Sequence, residues 1–98
     1  MVQQRWSRLG GSYIGSPFLE RYNHTTVVYD NRIWVIGGFA GELKKDVWYS
    51  FDSLNWLQPT SAVPFTERSS HTSIVFDSNI WVIGGFDGEL RNDVWTLD

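Results

Sequence analysis

Short apolar runs rich in Val, Ile, Trp, Tyr and Phe alternate along the chain with turn-forming pairs such as Asp-Asn, Gly-Gly and Asp-Ser. Such runs are typical of β-strands, and the pairs between them are typical of turns. In the first half of the chain they predict strand a over 24–29, strand b over 32–36, strand c over 46–50 and strand d over 55–58, with Asp30-Asn31 turning the a–b hairpin. No window shows sustained helical periodicity, so the sequence predicts an all-β protein.

Strand b is apolar at consecutive positions, over 33–36 and again over 80–83. In a sheet with one solvent-exposed face, polar and apolar residues alternate along each strand. We therefore expect both faces of strand b to be covered. Blades stacked face to face satisfy that requirement. The diglycine that follows each run predicts a close approach of backbone between neighbouring blades, because a side chain there would hold the chains apart.

The chain contains the same segment twice. Residues 17–48 and 64–95 are 47 positions apart and share 21 of 32 aligned residues. The shared motifs are Pro-Phe-x-Glu-Arg, His-Thr, Ile-Trp-Val-Ile-Gly-Gly-Phe, Gly-Glu-Leu and Asp-Val-Trp. A period near 50 residues is typical of kelch propellers, and with these motifs the chain resembles the kelch repeat family of β-propellers. The resemblance implies blades of four antiparallel strands.

The resemblance also implies the strand order d-abcd-abc, or two blades per chain. Residues 1–16 would hold a strand d and a linker, 17–58 the first repeat, and 59–98 a second repeat without strand d. Trp6 takes the strand-d position that Trp56 takes in the first repeat, so the two ends of the chain together complete one blade.

Two blades cannot close a ring, since propellers have about four to eight blades. We therefore predict a homo-oligomer in which strand d of one copy pairs with strand c of the next. A six-bladed trimer is favoured over an eight-bladed tetramer and a four-bladed dimer, because kelch rings commonly have six or seven blades and seven cannot be built from pairs. The alternative is a fragment of a larger kelch propeller, natural or engineered, that serves as a protein- or glycan-binding domain.

The resemblance assigns structural roles to the repeated His, Gly, Asp and Trp residues. We expect the His residues to hydrogen-bond across blades and the Asp residues to bond loop amides. The positions are His24, His71, Gly37, Gly38, Gly84, Gly85, Asp46, Asp93, Trp48, Trp95, Trp6 and Trp56.

Ligands would bind, by analogy with kelch rings, on the face formed by the d–a and b–c loops. The candidate residues there are Arg21, Tyr22, Asn23, Arg68, Ser69, Ser70, Phe39 and Phe86. The arginines would attract an acidic peptide or protein. The alternative is that each arginine pairs with a nearby glutamate, either Glu20 or Glu42 in the first repeat and either Glu67 or Glu89 in the second.

Composition narrows the function classes. A net charge of −3 argues against nucleic-acid binding, and no apolar stretch is long enough to predict a membrane span. The absence of Cys excludes disulfides, thiol nucleophiles and the Cys-linked Tyr of kelch-like oxidases, and leaves the compartment unknown. The two His residues lie 47 positions apart without a nearby second ligand, which argues against a metal. We predict no cofactor and no enzymatic activity, with a kelch-type enzyme as the remaining alternative.

Overall fold

Two three-stranded antiparallel sheets make up the fold in the computed structural model, which describes residue 18, residues 20–59 and residues 62–97. The strands are β1 Thr25–Tyr29, β2 Arg32–Phe39, β3 Leu43–Ser50, β4 Thr72–Phe76, β5 Asn79–Phe86 and β6 Leu90–Leu97. The sheet order is β1-β2-β3 in the first sheet, blade 1, and β4-β5-β6 in the second, blade 2. The all-β prediction is confirmed. The strand d predicted within 1–16, with Trp6, lies outside the described residues.

The predicted a–b hairpin forms between β1 and β2. Asp30 and Asn31 have φ angles of 53° and 58°, and they connect the paired residues Tyr29 and Arg32. Positive φ at both central positions is the geometry of the type I′ turn, which matches the twist of the two flanking strands. Asp77 and Ser78 do the same in blade 2.

The second and third strands of each blade are longer than the sequence predicted. In blade 1, β2 continues through the diglycine, where the register shifts between Ile36 and Gly38, and pairing resumes at Gly38 with Lys44 and at Phe39 with Leu43. A glycine with a φ of 61° at position 37 accommodates this irregularity. The prediction ended strand b before the diglycine, but a bulge bends the strand without ending it.

The predicted strand d is reduced to one bridge. Leu57 exchanges two backbone hydrogen bonds with Tyr49, of 2.8 and 2.9 Å. Before it, the carboxylate of Asp52 holds the backbone amide of Asn55 at 2.8 Å in a tight turn, and after it Pro59 has no amide hydrogen to donate. Among the described residues, each blade is thus a three-stranded sheet. Isolated bridges add Tyr49–Leu57 and Tyr22–Phe39 to blade 1 and Ser69–Phe86 to blade 2.

The two blades stack face to face. We call front face the side of a blade that carries, in blade 1, Val27, Trp34, Ile36 and Val47, and back face the opposite side. These four residues share a side because cross-strand partners project to the same face of a sheet. The front face of blade 1 packs on the back face of blade 2. The buried core is Trp34, Ile36, Val47, Phe65, Ile80 and Val82, flanked by Val27, Tyr29, Tyr49, Val63, Trp95 and Leu97.

Candidate functional site

Arg21 is held inside blade 1 by a carboxylate. Its Nη1 and Nη2 donate to the two carboxylate oxygens of Asp46 at 2.6 and 3.0 Å, and Nη1 also donates to the carbonyl of Gly37 at 3.0 Å. Trp48 Nε1 donates to the same carboxylate at 3.0 Å. The arginine side chain is only 2% exposed and the aspartate 26%. This bidentate pair, which we call the Arg–Asp clasp, ties the segment before β1 to β3.

Blade 2 repeats the Arg–Asp clasp. Arg68 donates to both oxygens of Asp93 at 2.7 and 2.9 Å and to the carbonyl of Gly84 at 2.9 Å, while Trp95 Nε1 donates to Asp93 at 2.9 Å. The glutamate partners considered for the arginines were wrong, and so was the expectation that the aspartates bond loop amides. In both repeats the arginine and aspartate lie 25 positions apart. That shared separation was the available sequence signal.

The clasp keeps both aspartates ionised. Burial raises the pKa of Asp46, but the hydrogen bonds from Arg21 and Trp48 and the arginine's charge outweigh it, so the pKa lies below its usual value. The hydrogen bond from Arg68 is the main cause that holds the pKa of Asp93 well below its usual range. An acidic ligand that reached either arginine would have to displace a bidentate carboxylate.

The other candidate residues on the loop face connect the segment before the first strand of each blade to the end of the second strand. Tyr22 and Phe39 exchange backbone hydrogen bonds of 3.1 and 2.9 Å, and their rings are 5.4 Å apart. Ser69 and Phe86 exchange backbone hydrogen bonds of 2.9 and 2.8 Å. Between the blades, the amide of Ser70 donates to the carbonyl of Asn23 at 2.9 Å. Tyr22 and Phe86 are exposed, while Ser69 is buried. Ligand binding by this group stays a prediction.

His71 joins the two blades. Its Nε2–H donates to the carbonyl of Ile36 at 3.0 Å, and the same nitrogen lies 2.9 Å from the hydroxyl of Thr25, which in turn lies 2.6 Å from Ser73 Oγ. Burial is the main cause that lowers the pKa of His71, and the nearby charges of Arg68 and His24 lower it further. The hydrogen bond to the Ile36 carbonyl raises the pKa but does not outweigh them. The sequence predicted a cross-blade hydrogen bond from a histidine but gave no sign of the Thr–Ser pair beside it.

The diglycine of blade 1 lies where the blades converge. A Cβ at Gly37 would stand 2.8 Å from the imidazole of His71 and 3.0 Å from the carbonyl of Arg68, and the amide of Gly38 donates to that carbonyl at 2.8 Å. A side chain would therefore push the blades apart. No cluster of three or more His, Cys, Asp or Glu suited to a metal occurs in the part of the chain that the structure describes.

The front face of blade 2 is open, although its residues repeat those of the covered front face of blade 1. Ile83 is 39% exposed where its counterpart Ile36 is 2% exposed, and Val94 is 53% exposed where Val47 is 7% exposed. Two further members of this face, Ile74 and Phe76, are exposed as well. An identical or similar side chain is thus buried in one repeat and exposed in the other, because among the described residues only blade 1 has a neighbouring blade on its front face.

The back face of blade 1 shows the reverse asymmetry. Ile33 is 38% exposed, whereas its counterpart Ile80, which faces blade 1, is 1% exposed. The described part of the chain therefore presents one uncovered front face and one partly uncovered back face, and these are the two kinds of surface that already pack together inside it.

A stack of small antiparallel sheets with a motif set that occurs twice is typical of a β-propeller. The family model described as the DUF6242 beta propeller domain matches residues 1–96, and the chain belongs to this family. No curated protein matches the chain. Among the described residues, no helix is long and apolar enough to cross a membrane.

Proposed function

We propose that the chain is a kelch-type, two-blade unit of a non-enzymatic β-propeller whose main activity is self-assembly into a closed ring. Copies join head to tail, with the front face of blade 2 in one copy on the back face of blade 1 in the next. Three copies forming six blades are the favoured ring. The proposal includes no catalytic step, because Asp46 and Asp93 are held ionised by guanidinium groups and take a structural role.

The open front face of blade 2 is the observation that supports this proposal most strongly. Complete burial of a Val, Ile or Phe side chain contributes roughly 1.5–3 kcal/mol. Covering the exposed parts of the four front-face residues would then contribute roughly 3–6 kcal/mol in total. The exposed fractions used are Ile74 54%, Phe76 65%, Ile83 39% and Val94 53%.

That contribution is close to the lower end of the cost of association, which is about 4–15 kcal/mol for lost translational and rotational freedom. The back face of blade 1 and polar contacts must supply the remainder. We therefore expect the assembly to depend on protein concentration. The first measurement is the solution mass by size exclusion with light scattering across a dilution series, and a trimer would weigh three times 11.3 kDa.

Two variants that each block one face test the head-to-tail arrangement. Ile83→Arg blocks the front face and Ile33→Arg blocks the back face, and both residues are more than a third exposed, so the blades themselves should tolerate the change. Each variant alone is expected to stay monomeric. An equimolar mixture is expected to form a dimer, because one intact front face meets one intact back face.

Other outcomes contradict the proposal. A wild-type chain that stays monomeric at every concentration overturns self-assembly and favours the alternative of a fragment whose neighbouring blades come from a longer propeller. A dimer formed by one blocked variant alone overturns the head-to-tail arrangement, since that contact would use the same face twice.

Recognition of another protein, a peptide or a glycan is the second candidate function. It is supported by a polar cleft on the loop face between the blades, lined by Glu42, Leu43, Lys44, Lys45, Asp46 and Glu67. The lining has three carboxylates, and Lys44 already pairs with Glu42 at 3.0 Å, so an acidic peptide would bind mainly through Lys45. Titration with a Glu-rich peptide, repeated on Lys45→Ala, tests this: equal affinity for both chains, or no binding, argues against it.

A further inference from the structure

The contact between His71 and blade 1 is a polar lock that fixes how two blades stack. It consists of the imidazole, the carbonyl of Ile36, and the paired hydroxyls of Thr25 and Ser73, at distances of 2.6 to 3.0 Å. His71 is buried at 4% exposure. We call the histidine with its serine the donor half, and the threonine and carbonyl with the adjacent Gly37 the acceptor half.

Blade 2 carries a second acceptor half. By repeat position it consists of Thr72, the carbonyl of Ile83, and Gly84. A Cβ at Gly84 would meet only the main chain of Arg91, at 3.0 Å, whereas a Cβ at Gly37 meets His71 and the carbonyl of Arg68 as well. The neighbours missing at Gly84 are the two that come from an adjacent blade.

Blade 1 carries a second donor half. His24 is the counterpart of His71, and Thr26 supplies a hydroxyl where blade 2 has Ser73. Both residues are exposed. Within the described ranges, the ring nitrogens of His24 make no hydrogen bond, whereas Nε2 of His71 bonds to blade 1.

We propose that His24 and Thr26 of one copy lock onto Thr72 and the Ile83 carbonyl of a second copy, with the imidazole lying over Gly84. The inference rests on the proposed self-assembly and adds its register. The occupant is a second copy because the chain carries both halves of the lock, on opposite outer faces. The acceptor half is surrounded by the exposed front face of blade 2, formed by Ile74, Phe76, Ile83 and Val94. This face is the repeat counterpart of the front face of blade 1, which blade 2 covers.

Such a lock would make the step between copies the same as the step between the blades of one chain. A repeated equal step is what a head-to-tail contact needs in order to close into a ring. Apolar packing alone is non-directional and would allow the blades to slide. Hydrogen bonds to a buried imidazole and hydroxyl give the contact its register.

His24→Ala and Thr72→Val remove one partner from each half, and both sites are exposed, so folding should be retained. A net hydrogen bond of roughly 0.5–1.5 kcal/mol corresponds to a change of about 2- to 13-fold. We expect each variant to weaken the association between copies about 5- to 10-fold. The double variant should be weakened by less than the product of the two, because the residues share one contact.

The mixing experiment supplies the readout that isolates this contact. The association of the Ile83→Arg chain with the Ile33→Arg chain is measured by sedimentation. His24→Ala is added first to the Ile83→Arg chain, which contributes the back face and therefore the donor half. In a second experiment it is added to the Ile33→Arg chain instead. Only the first placement should weaken the pair. Urea unfolding of the monomers confirms that both chains remain equally folded.

Two results distinguish failure of the lock from failure of assembly. If the wild-type chain assembles and His24→Ala gives the same dissociation constant, or weakens the pair equally in both placements, the lock is wrong and self-assembly stands. If the wild-type chain never assembles, both are wrong.

Discussion

Removing the carboxylate of Asp46 is expected to destabilise the fold strongly, because it takes the bidentate carboxylate partner from a buried cation. In the Asp46→Ala variant the Arg21 side chain, 2% exposed, loses its bidentate partner and keeps the bond to the Gly37 carbonyl. Trp48 Nε1 loses its acceptor too. This change probes the Arg–Asp clasp of blade 1 by removing the carboxylate and leaving the Arg21 side chain in place.

The expected magnitude follows from burial. Breaking a buried ion pair from one side costs about 3–5 kcal/mol. Asp46 retains 26% exposure and Arg21 keeps its hydrogen bond to the Gly37 carbonyl, so we expect the lower end, about 3 kcal/mol. A domain of this size has a total unfolding free energy of about 5–15 kcal/mol, and 3 kcal/mol corresponds to a fall in Tm of about 12–24 °C.

The assay is urea unfolding at pH 7, followed by tryptophan fluorescence at a concentration where the chain is monomeric. Glu42→Ala is the control, since Glu42 pairs with Lys44 at 3.0 Å on the surface and is 77% exposed, so its loss should cost less than about 1 kcal/mol. A loss below about 1 kcal/mol for Asp46→Ala would refute the argument that the clasp carries a desolvated charge.

The same pair predicts acid sensitivity. The pKa of Asp46 is lower in the folded chain than in the unfolded chain, so the unfolded chain binds more protons as the pH falls. The stability contributed by the clasp is fully present above the unfolded value near 3.8 and is lost as the pH falls through the folded value. Asp46→Ala should flatten this part of the stability profile, measured by urea unfolding between pH 5 and pH 2.

The remaining predictions use matched positions. Ile36→Ala should cost about 2–5 kcal/mol of unfolding free energy, whereas Ile83→Ala, the same change on the open face, should cost clearly less in the monomer; equal losses would contradict the assigned burial. Gly38→Ala should destabilise more than Gly41→Ala, because both need positive φ but only Gly38 meets neighbours, at 2.9 Å. Finally, the lowered pKa of His71 means that stability should fall as the pH drops below about 6.5, and His71→Gln should remove this slope in urea unfolding.

Local chemistry in the sequence predicted several features. The Asp-Asn and Asp-Ser pairs predicted tight hairpins because these residues tolerate positive φ, and both turns have that geometry. The consecutive apolar residues of strand b predicted that both faces of the strand are covered, and residues 34–38 of β2 are buried as expected. In β5 the face that carries Ile83 is exposed in the single chain, so cover on both faces of that strand stays a prediction.

The sequence could not identify partners that lie far apart along the chain. Arg21 has glutamates nearby in sequence, yet its partner is Asp46, 25 positions away, because the b–c hairpin folds back beside the segment that precedes β1. A repeated motif shows which side chains recur along the chain. Which of these side chains come into contact is determined by the strand register. The Thr25–Ser73 contact arises in the same way from the stacking of two blades.

The sequence by itself determined the repeat, the strands, the turns and the need for a stacked neighbour, because periodicity and backbone preference act locally. Tertiary structure decided which copy of each repeated residue is covered. Ile36 and Ile83 have the same local sequence, and in the described part of the chain the difference in their burial comes from the blade that lies in front of the first and not of the second. Burial depends on neighbours in space, which identical segments do not share.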